Sequence, residues 1–175
     1  GENAAAPTRA AGANNMSVFA QYIGELGTVE SAIVECFRHG GGVPYEKFSR
    51  FHEVMAEDSG QSVMSSLETH ILPLVPGRAE RLDRGIRVLD AGCGRGAIVT
   101  RLATLYPRSR FVGMDLSHEA IAYAQRNAAG LANVEFVARD LSDFDRTAKG
   151  AAFDFIATFD AVHDQAQPLK VLQGI

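Results

Sequence analysis

The pattern of hydrophobic and polar positions changes near the middle of the chain. In the first half, apolar residues recur at helical spacing, as in the run from Ser17 to His39. Segments 45–57 and 60–72 repeat this spacing, and Pro73 and Pro76 follow them as helix-ending residues. The first half of the chain is therefore predicted to be helical.

After Gly85 the pattern becomes an alternation of short β-rich runs with helical stretches. The β-rich runs read IRVLD, FVGMD, VEFVARD and FDFIATFD, and the helical stretches cover 95–106, 117–129 and, more weakly, 142–149. Ser117 is a predicted N-cap of the second of these helices. Alternating strands and helices predict an α/β fold with a parallel sheet, whose ligand lies beyond the carboxyl ends of the strands.

Three regions follow from this reading. Residues 1–15 are small and polar and are predicted to be a linker or arm. Residues 16–84 form a helical segment that could act as a lid, and residues 85–175 form the ligand-binding domain.

Composition narrows the function classes. The 175 residues are 46% hydrophobic and 22% charged, which is typical of a globular protein. A formal charge of −4 argues against nucleic-acid binding through this segment, because such binding needs a clustered basic surface. Cys36 and Cys93 show no metal or disulfide spacing, which predicts a reduced, cytoplasmic protein without a metal. No apolar run is long enough to predict a membrane span.

The stretch VLDAGCGRG places three alternate glycines, Gly92, Gly94 and Gly96, directly after a predicted strand. Such a turn brings the backbone close to a small ligand. In the dinucleotide-binding fingerprint the third glycine would fall at Ala97, where alanine is also allowed. The glycines alone therefore leave the ligand open.

Each predicted strand ends in an aspartate: Asp90, Asp115, Asp140 and Asp160. Any one of them could be accidental or a helix cap. Four acids along one sheet edge would repel a pyrophosphate, at a cost of about 1–2 kcal/mol for each like charge about 4–8 Å away. They predict a ligand with hydroxyls, amines and net positive charge.

With these motifs the chain resembles the class I S-adenosylmethionine-dependent methyltransferases. VLDAGCGRG resembles their first motif, and FVGMDLS, ARDLSDF and FDFIATFDAVHD resemble the second to fourth, so the resemblance covers residues 86–175. The run FRHGGGVPYEKFSRFHEVMAEDSG resembles the helical region of a subgroup with an N-terminal winged-helix domain, which this chain lacks. The resemblance implies a Rossmann-like doubly wound sheet after an α-helical segment, with the first four strands present and the C-terminal strands missing.

The resemblance also implies roles for the first motif and its neighbours. Gly92, Gly94 and Gly96 would let the turn approach the methionine part of the cofactor, S-adenosylmethionine, and Asp90 would help to hold its ammonium group.

For the nucleoside part, the resemblance implies that Asp115 accepts from the two ribose hydroxyls and that Leu116 packs on the adenine. Asp140 would accept from the adenine amino group, and the backbone of Leu141 would meet the ring edge.

At the fourth strand, Phe159 and Asp160 would border the methionine and the transferable methyl. His163, in the run AVHD, lies close to where the methyl should emerge and is a candidate general base. A pair at a helix start that caps and packs is the favoured interpretation of His163 and Asp164.

The leading hypothesis is a methyltransferase that moves the sulfonium methyl in line to an unidentified small-molecule or protein acceptor. One alternative is a regulator that binds S-adenosylmethionine without turnover, linked to a winged-helix domain that could bind DNA or mediate the formation of a homodimer. A less favoured alternative is an NAD-dependent dehydrogenase.

Overall fold

The computed structural model describes residue 8, residues 15–150 and residues 152–175. Most of the predicted linker, residues 1–15, lies outside the described residues. The chain divides into two compact units, of which the first ends at Ser65 and the second extends from Ser66 to Ile175. The sequence-based boundary after residue 84 stays a prediction, and the second unit also contains the helix that precedes the sheet.

The first unit is helical, as predicted. Helix α1 covers Ser17–His39 and helix α2 covers Phe51–Ser59, followed by a π-helical turn at Gly60–Met64. The segment predicted as one helix over 45–57 begins instead with a short 3₁₀ turn, Tyr45–Lys47. The helix is interrupted between this turn and α2, where the buried carboxylate of Glu25 accepts a hydrogen bond from the Arg50 backbone N–H at 2.7 Å.

The second unit begins with a π-helical turn at Leu67–Ile71, a 3₁₀ turn at Leu72–Leu74 and helix α3 at Arg78–Arg84. Its four strands are β1 (Arg87–Ala91), β2 (Arg110–Asp115), β3 (Val134–Ala138) and β4 (Phe155–Ala157). They pair in the order β3-β2-β1-β4, and every pair is parallel. The predicted α/β fold with a parallel, Rossmann-like sheet is confirmed.

Four helices accompany the strands. They are α4 (Ala97–Leu105), α5 (His118–Asn127), α6 (Phe144–Thr147) and α7 (Pro168–Gly174), with a 3₁₀ turn at Val162–Asp164. The predicted N-cap of α5 is confirmed, since Ser117 Oγ accepts from the Ala120 N–H at 3.2 Å.

The core and the strand order together position the site. A buried cluster links β1 to α6 and α7 through apolar side chains: Leu89, Ala91, Leu141, Phe144 and Val171. Strand β2 lies on one side of β1 and β4 lies on the other, so the strand order reverses at β1. The crevice beyond the carboxyl ends of β1 and β4 is where open α/β sheets bind their ligands.

Candidate functional site

The four aspartates lie at or just beyond the carboxyl ends of the strands. Asp115 is the last residue of β2, and Asp90 is the next-to-last residue of β1. Asp140 and Asp160 follow the ends of β3 and β4 by a few residues. Because all four strands are parallel, all four acids belong to the same edge of the sheet.

Asp90 is the buried acid of this edge. Asp90 is only 3% exposed, and its Oδ1 has no hydrogen-bond partner in the described part of the chain. Burial, reinforced by the nearby Asp115 carboxylate, raises the pKa of Asp90 to about 7. A buried polar atom without a partner is costly, so Oδ1 can accept a hydrogen bond from a donor that the described residues do not supply.

Asp115 connects the glycine turn to the start of α5. Its Oδ2 accepts from the Gly94 N–H at 2.8 Å, and its Oδ1 accepts from the Ser117 N–H at 2.8 Å. A carboxylate has about four acceptor positions, so both oxygens keep the capacity to accept from a ligand hydroxyl. These two bonds hold the carboxylate in one orientation.

The three glycines of the turn have different surroundings. All have positive φ, at 82° for Gly92, 52° for Gly94 and 71° for Gly96. A Cβ on Gly92 would overlap Cβ of Ala161, and one on Gly96 would lie 2.8 Å from Phe136 Cζ. A Cβ on Gly94 would meet nothing within 4 Å. Gly94 is therefore the glycine that opens onto free space, while the other two allow close packing within the protein.

The turn is held against β2 by backbone hydrogen bonds. The N–H groups of Gly92 and Cys93 both donate to the carbonyl of Met114, at 2.8 and 3.0 Å. The Cys93 thiol fits because its neighbour in β2 is Gly113, where a Cβ would lie 2.8 Å from Cys93 Sγ. Sequence reasoning missed Gly113, although a glycine inside a strand is a signal of close approach.

Cys93 is not a nucleophile in this site. Burial, with the Asp90 and Asp115 carboxylates adding to it, raises the pKa of the Cys93 thiol far above its ordinary value. The thiol therefore stays protonated and serves as packing.

The residues predicted for the nucleoside have contrasting exposure. Leu116 is 52% exposed, and it directly follows Asp115. Leu141 is buried in the core, so only its backbone is left to meet a ligand. Asp140 is exposed, and its Oδ1 accepts from the Ser142 N–H at 2.8 Å.

The end of β4 contributes a hydroxyl that sequence reasoning missed. Thr158 Oγ1 is buried and has no hydrogen-bond partner among the residues that the structure describes. Phe159, next in the chain, is half-buried. Asp160 has a φ of 54°, the left-handed region, which aspartate tolerates better than most residues but at a cost of about 1–3 kcal/mol.

His163 lies between two carboxylates. Its Nδ1 is 3.7 Å from Asp160 Oδ1, and its Nε2 is 3.4 Å from Asp164 Oδ1. The side chain is 65% exposed, so the packing expected of a pair at a helix start is not observed.

Residue 8 and residues 15–150 and 152–175 include no cluster of three His, Cys, Asp or Glu side chains arranged to hold a metal ion. In the same residues, every helix is too short or too polar to cross a membrane.

Known proteins resemble this chain in the region of the site. A family model described as "Methyltransferase domain" matches residues 82–175. Malonyl-[acyl-carrier protein] O-methyltransferase of Bacillus cereus is 27% identical over 137 residues, which cover 77% of this chain and 45% of that protein. Release factor glutamine methyltransferase of Koribacter versatilis is 40% identical over 88 residues, which cover 49% of this chain and 31% of that protein.

Among solved structures, a SAM-dependent methyltransferase from Aquifex aeolicus is 26% identical, with a TM-score of 0.47, over 57% of this chain and 60% of that chain. This chain spans less than half the length of the two curated relatives above. The family match supports a methyltransferase, and it does not support the dehydrogenase or the regulator without turnover.

Proposed function

We propose that this chain, which belongs to the methyltransferase domain family, binds S-adenosylmethionine at the carboxyl edge of its sheet. The family membership follows from the family model, which matches residues 82–175, more than half of the chain. The observation that carries this proposal is Asp90, a buried carboxyl whose Oδ1 has no partner in the described residues. The ionised form of a buried acid beside a second acid is favoured by a donor, and most strongly by one with positive charge. S-adenosylmethionine carries an ammonium and a sulfonium group.

The residues present fit this cofactor. We assign Asp90 to its ammonium group, and the free space at Gly94 to the close passage of its methionine part, with Gly92 and Gly96 shaping the turn. Phe159 and Asp160, after β4, would border the methionine and the methyl group.

On the nucleoside side, the fixed carboxylate of Asp115 would accept from the ribose hydroxyls, because its oxygens keep acceptor capacity beyond their two backbone bonds. Leu116 offers an exposed apolar surface to the adenine, which would cover it. Asp140 would accept from the adenine amino group, and the Leu141 backbone would meet the ring edge.

The cofactor supplies a methyl group on a leaving group that needs no protonation, and we propose in-line transfer to a small-molecule or protein acceptor. The contribution of the protein is then orientation, which can lower a barrier by about 7–11 kcal/mol. His163 is the candidate base for an acceptor that must lose a proton. The two free cysteines, Cys36 and Cys93, support a reducing, cytoplasmic location for this chemistry.

The test is calorimetric titration of the full-length protein with S-adenosylhomocysteine, which keeps the ammonium, ribose and adenine. We expect saturable binding, no binding of NAD, and a loss of at least tenfold in affinity for D90N, because an amide does not balance an ammonium charge. Absence of S-adenosylhomocysteine binding would contradict the proposal. A turnover screen with candidate acceptors then separates an enzyme from a regulator.

A further inference from the structure

We propose that Arg95 is a positioning residue that fixes the glycine turn and thereby sets the affinity of the cofactor site. This inference rests on the proposed function, because the cofactor is the ligand that would report the position of the turn. Arg95 lies between Gly94, which opens onto free space, and Gly96, which packs on Phe136.

The side chain of Arg95 reaches from the turn to helix α5. Its Nη2 donates to Glu119 Oε1 at 2.7 Å, and its guanidinium carbon lies 4.5 Å from the centre of the Tyr123 ring. Only 20% of the Arg95 side chain is exposed, compared with 53% for Glu119. Its Nε is buried and has no partner in the described parts of the chain.

These contacts complete the support of the turn. On the strand side, the turn is held by the Met114 carbonyl and by the Asp115 carboxylate. Those bonds stop at Gly94, which has no side chain of its own to restrain it. Beyond Gly94, the Gly96 N–H donates to the Cys93 carbonyl at 2.9 Å, which closes the turn on itself. The Arg95 side chain is the contact that ties this part of the turn to α5, the helix that begins just after Leu116 and Ser117. Arg95 thus adds a second side-chain connection between the turn and α5, besides the Asp115 carboxylate.

Without this tie, the turn would sample conformations that do not match the ligand. Glycines on both sides of position 95 give the backbone a wide choice of conformations once it is released. The apparent dissociation constant of a ligand rises in proportion as the binding-competent fraction falls. The effect of losing Arg95 should therefore appear in affinity.

Arginine suits this position better than lysine does. A guanidinium can lie flat on the Tyr123 ring and donate sideways to Glu119 at the same time. A lysine ammonium can keep the ion pair but loses the planar stacking. Arg95→Lys should therefore restore part of the affinity that Arg95→Ala loses.

The experiment measures the S-adenosylhomocysteine dissociation constant and the melting temperature of the full-length protein and four variants: R95A, R95K, E119Q and R101A. Arg101, in α4, is a matched control, because it donates from Nε and Nη2 to Glu68 in a similar ion pair of the same unit that includes no residue of the turn or of α5. We expect about a tenfold higher dissociation constant for R95A, from the loss of one ion pair and one cation–π contact. Smaller increases are expected for R95K and E119Q, and none for R101A.

The outcomes separate the two proposals. If the unchanged protein does not bind S-adenosylhomocysteine, the proposed function fails. If it binds and R95A binds within twofold of it, the inference about Arg95 fails, whatever the change in melting temperature. If R95A does not fold, unchanged affinity in both R95K and E119Q overturns the inference, and graded losses support it. Equal losses of affinity in R95A and R101A would also overturn it, since they would indicate general destabilisation.

Discussion

At the scale of single residues, the raised pKa of Asp90 predicts that ligand binding depends on pH. Its pKa is raised to about 7, first by burial and then by the Asp115 carboxylate, so much of it is protonated in the empty site below neutral pH. A ligand ammonium favours the ionised carboxylate, so binding below pH 7 must release a proton. That release weakens binding as the pH falls.

We therefore predict that S-adenosylhomocysteine affinity rises between pH 6 and pH 8. Below the pKa of Asp90 the dissociation constant should increase by up to about tenfold for each pH unit, and above it the curve should flatten. Calorimetry in buffers of different ionisation enthalpy would also count the proton released. D90N is the matched control and should bind weakly with a flat pH profile; a wild-type curve as flat as that of D90N would contradict the role of Asp90.

The same residue predicts a stability effect of opposite sign. Because the folded-state pKa of Asp90 lies above the unfolded value of 3.8, its protonated form stabilises the fold fully below pH 3.8. That contribution is lost as the pH rises to about 7, at roughly 1.4 kcal/mol per pKa unit. Urea unfolding should therefore show D90N gaining stability relative to the unchanged protein as the pH rises from 5 to 8. A constant difference would indicate that Asp90 does not titrate in this range.

His163 gives a second prediction at this scale. The His163 side chain is 65% exposed, and its two ring nitrogens lie 3.7 and 3.4 Å from the Asp160 and Asp164 carboxylates. We predict that H163A keeps turnover within about threefold, measured at saturating cofactor with the acceptor that the screen identifies, since orientation supplies most of the acceleration. A general base contributes about 100-fold or more, so a loss of that size would assign this role to His163.

At the scale of elements, the glycine turn separates packing from binding. Gly96 is the residue directly before α4, and a Cβ there would lie 2.8 Å from Phe136 Cζ and 2.9 Å from Ala124 Cβ. Gly94, one step earlier in the G-x-G-x-G pattern, has open space around it. Alanine at position 96 should therefore lower the stability of the fold, whereas alanine at position 94 should weaken ligand binding.

We predict that G96A lowers the free energy of unfolding by about 2–4 kcal/mol, from overpacking added to a left-handed backbone. G94A should lose only about 1 kcal/mol, the cost of its left-handed backbone, but should weaken S-adenosylhomocysteine binding more than tenfold. Urea unfolding and calorimetry on both variants test this pair of effects. Equal losses of stability, or unchanged binding by G94A, would contradict this assignment.

The elements themselves were largely predictable. Short β-rich runs and N-cap chemistry are local signals, so the strands near Asp90 and Asp115 and the start of α5 at Ser117 agree with the structure. The features that could not be predicted depend on contacts with residues that are distant in sequence. The break between Tyr45–Lys47 and α2 depends on Glu25, and the need for Gly113 depends on the Cys93 thiol that packs over it.

The common edge of the four aspartates could be predicted from the sequence, whereas their binding roles stay predictions. The aspartates lie at or near strand ends, and parallel strands bring such positions to one edge, so sequence order alone predicts that they lie along it. Thr158 and Arg95 gave no such signal, because a lone hydroxyl after a strand and a lone arginine in a turn are common on protein surfaces. Only the buried, unpartnered state of Thr158 Oγ1 and the contacts of Arg95 with α5 distinguish them.

At the scale of the whole second unit, the order β3-β2-β1-β4 gives each half of the crevice a different origin. The β1–β2–β3 half comes from one continuous stretch of chain, joined by α4 and α5. The other half needs β4, which follows β3 in sequence but crosses to the far side of β1. The cofactor site we propose therefore combines a local supersecondary unit with one distant strand.

That crossing has a consequence for how the protein folds. Strand β4 pairs Phe155 with Val88, and the sequence between them is more than half of the unit. Pairings of such separation carry a high loop-closure cost before any contact repays it. We expect β1, β2 and β3 to assemble first and β4 to dock late. A ligand that needs residues from both halves would bind only after this last step. Its binding would therefore stabilise chains in which the four-stranded sheet is complete, and not chains in which β4 has yet to dock.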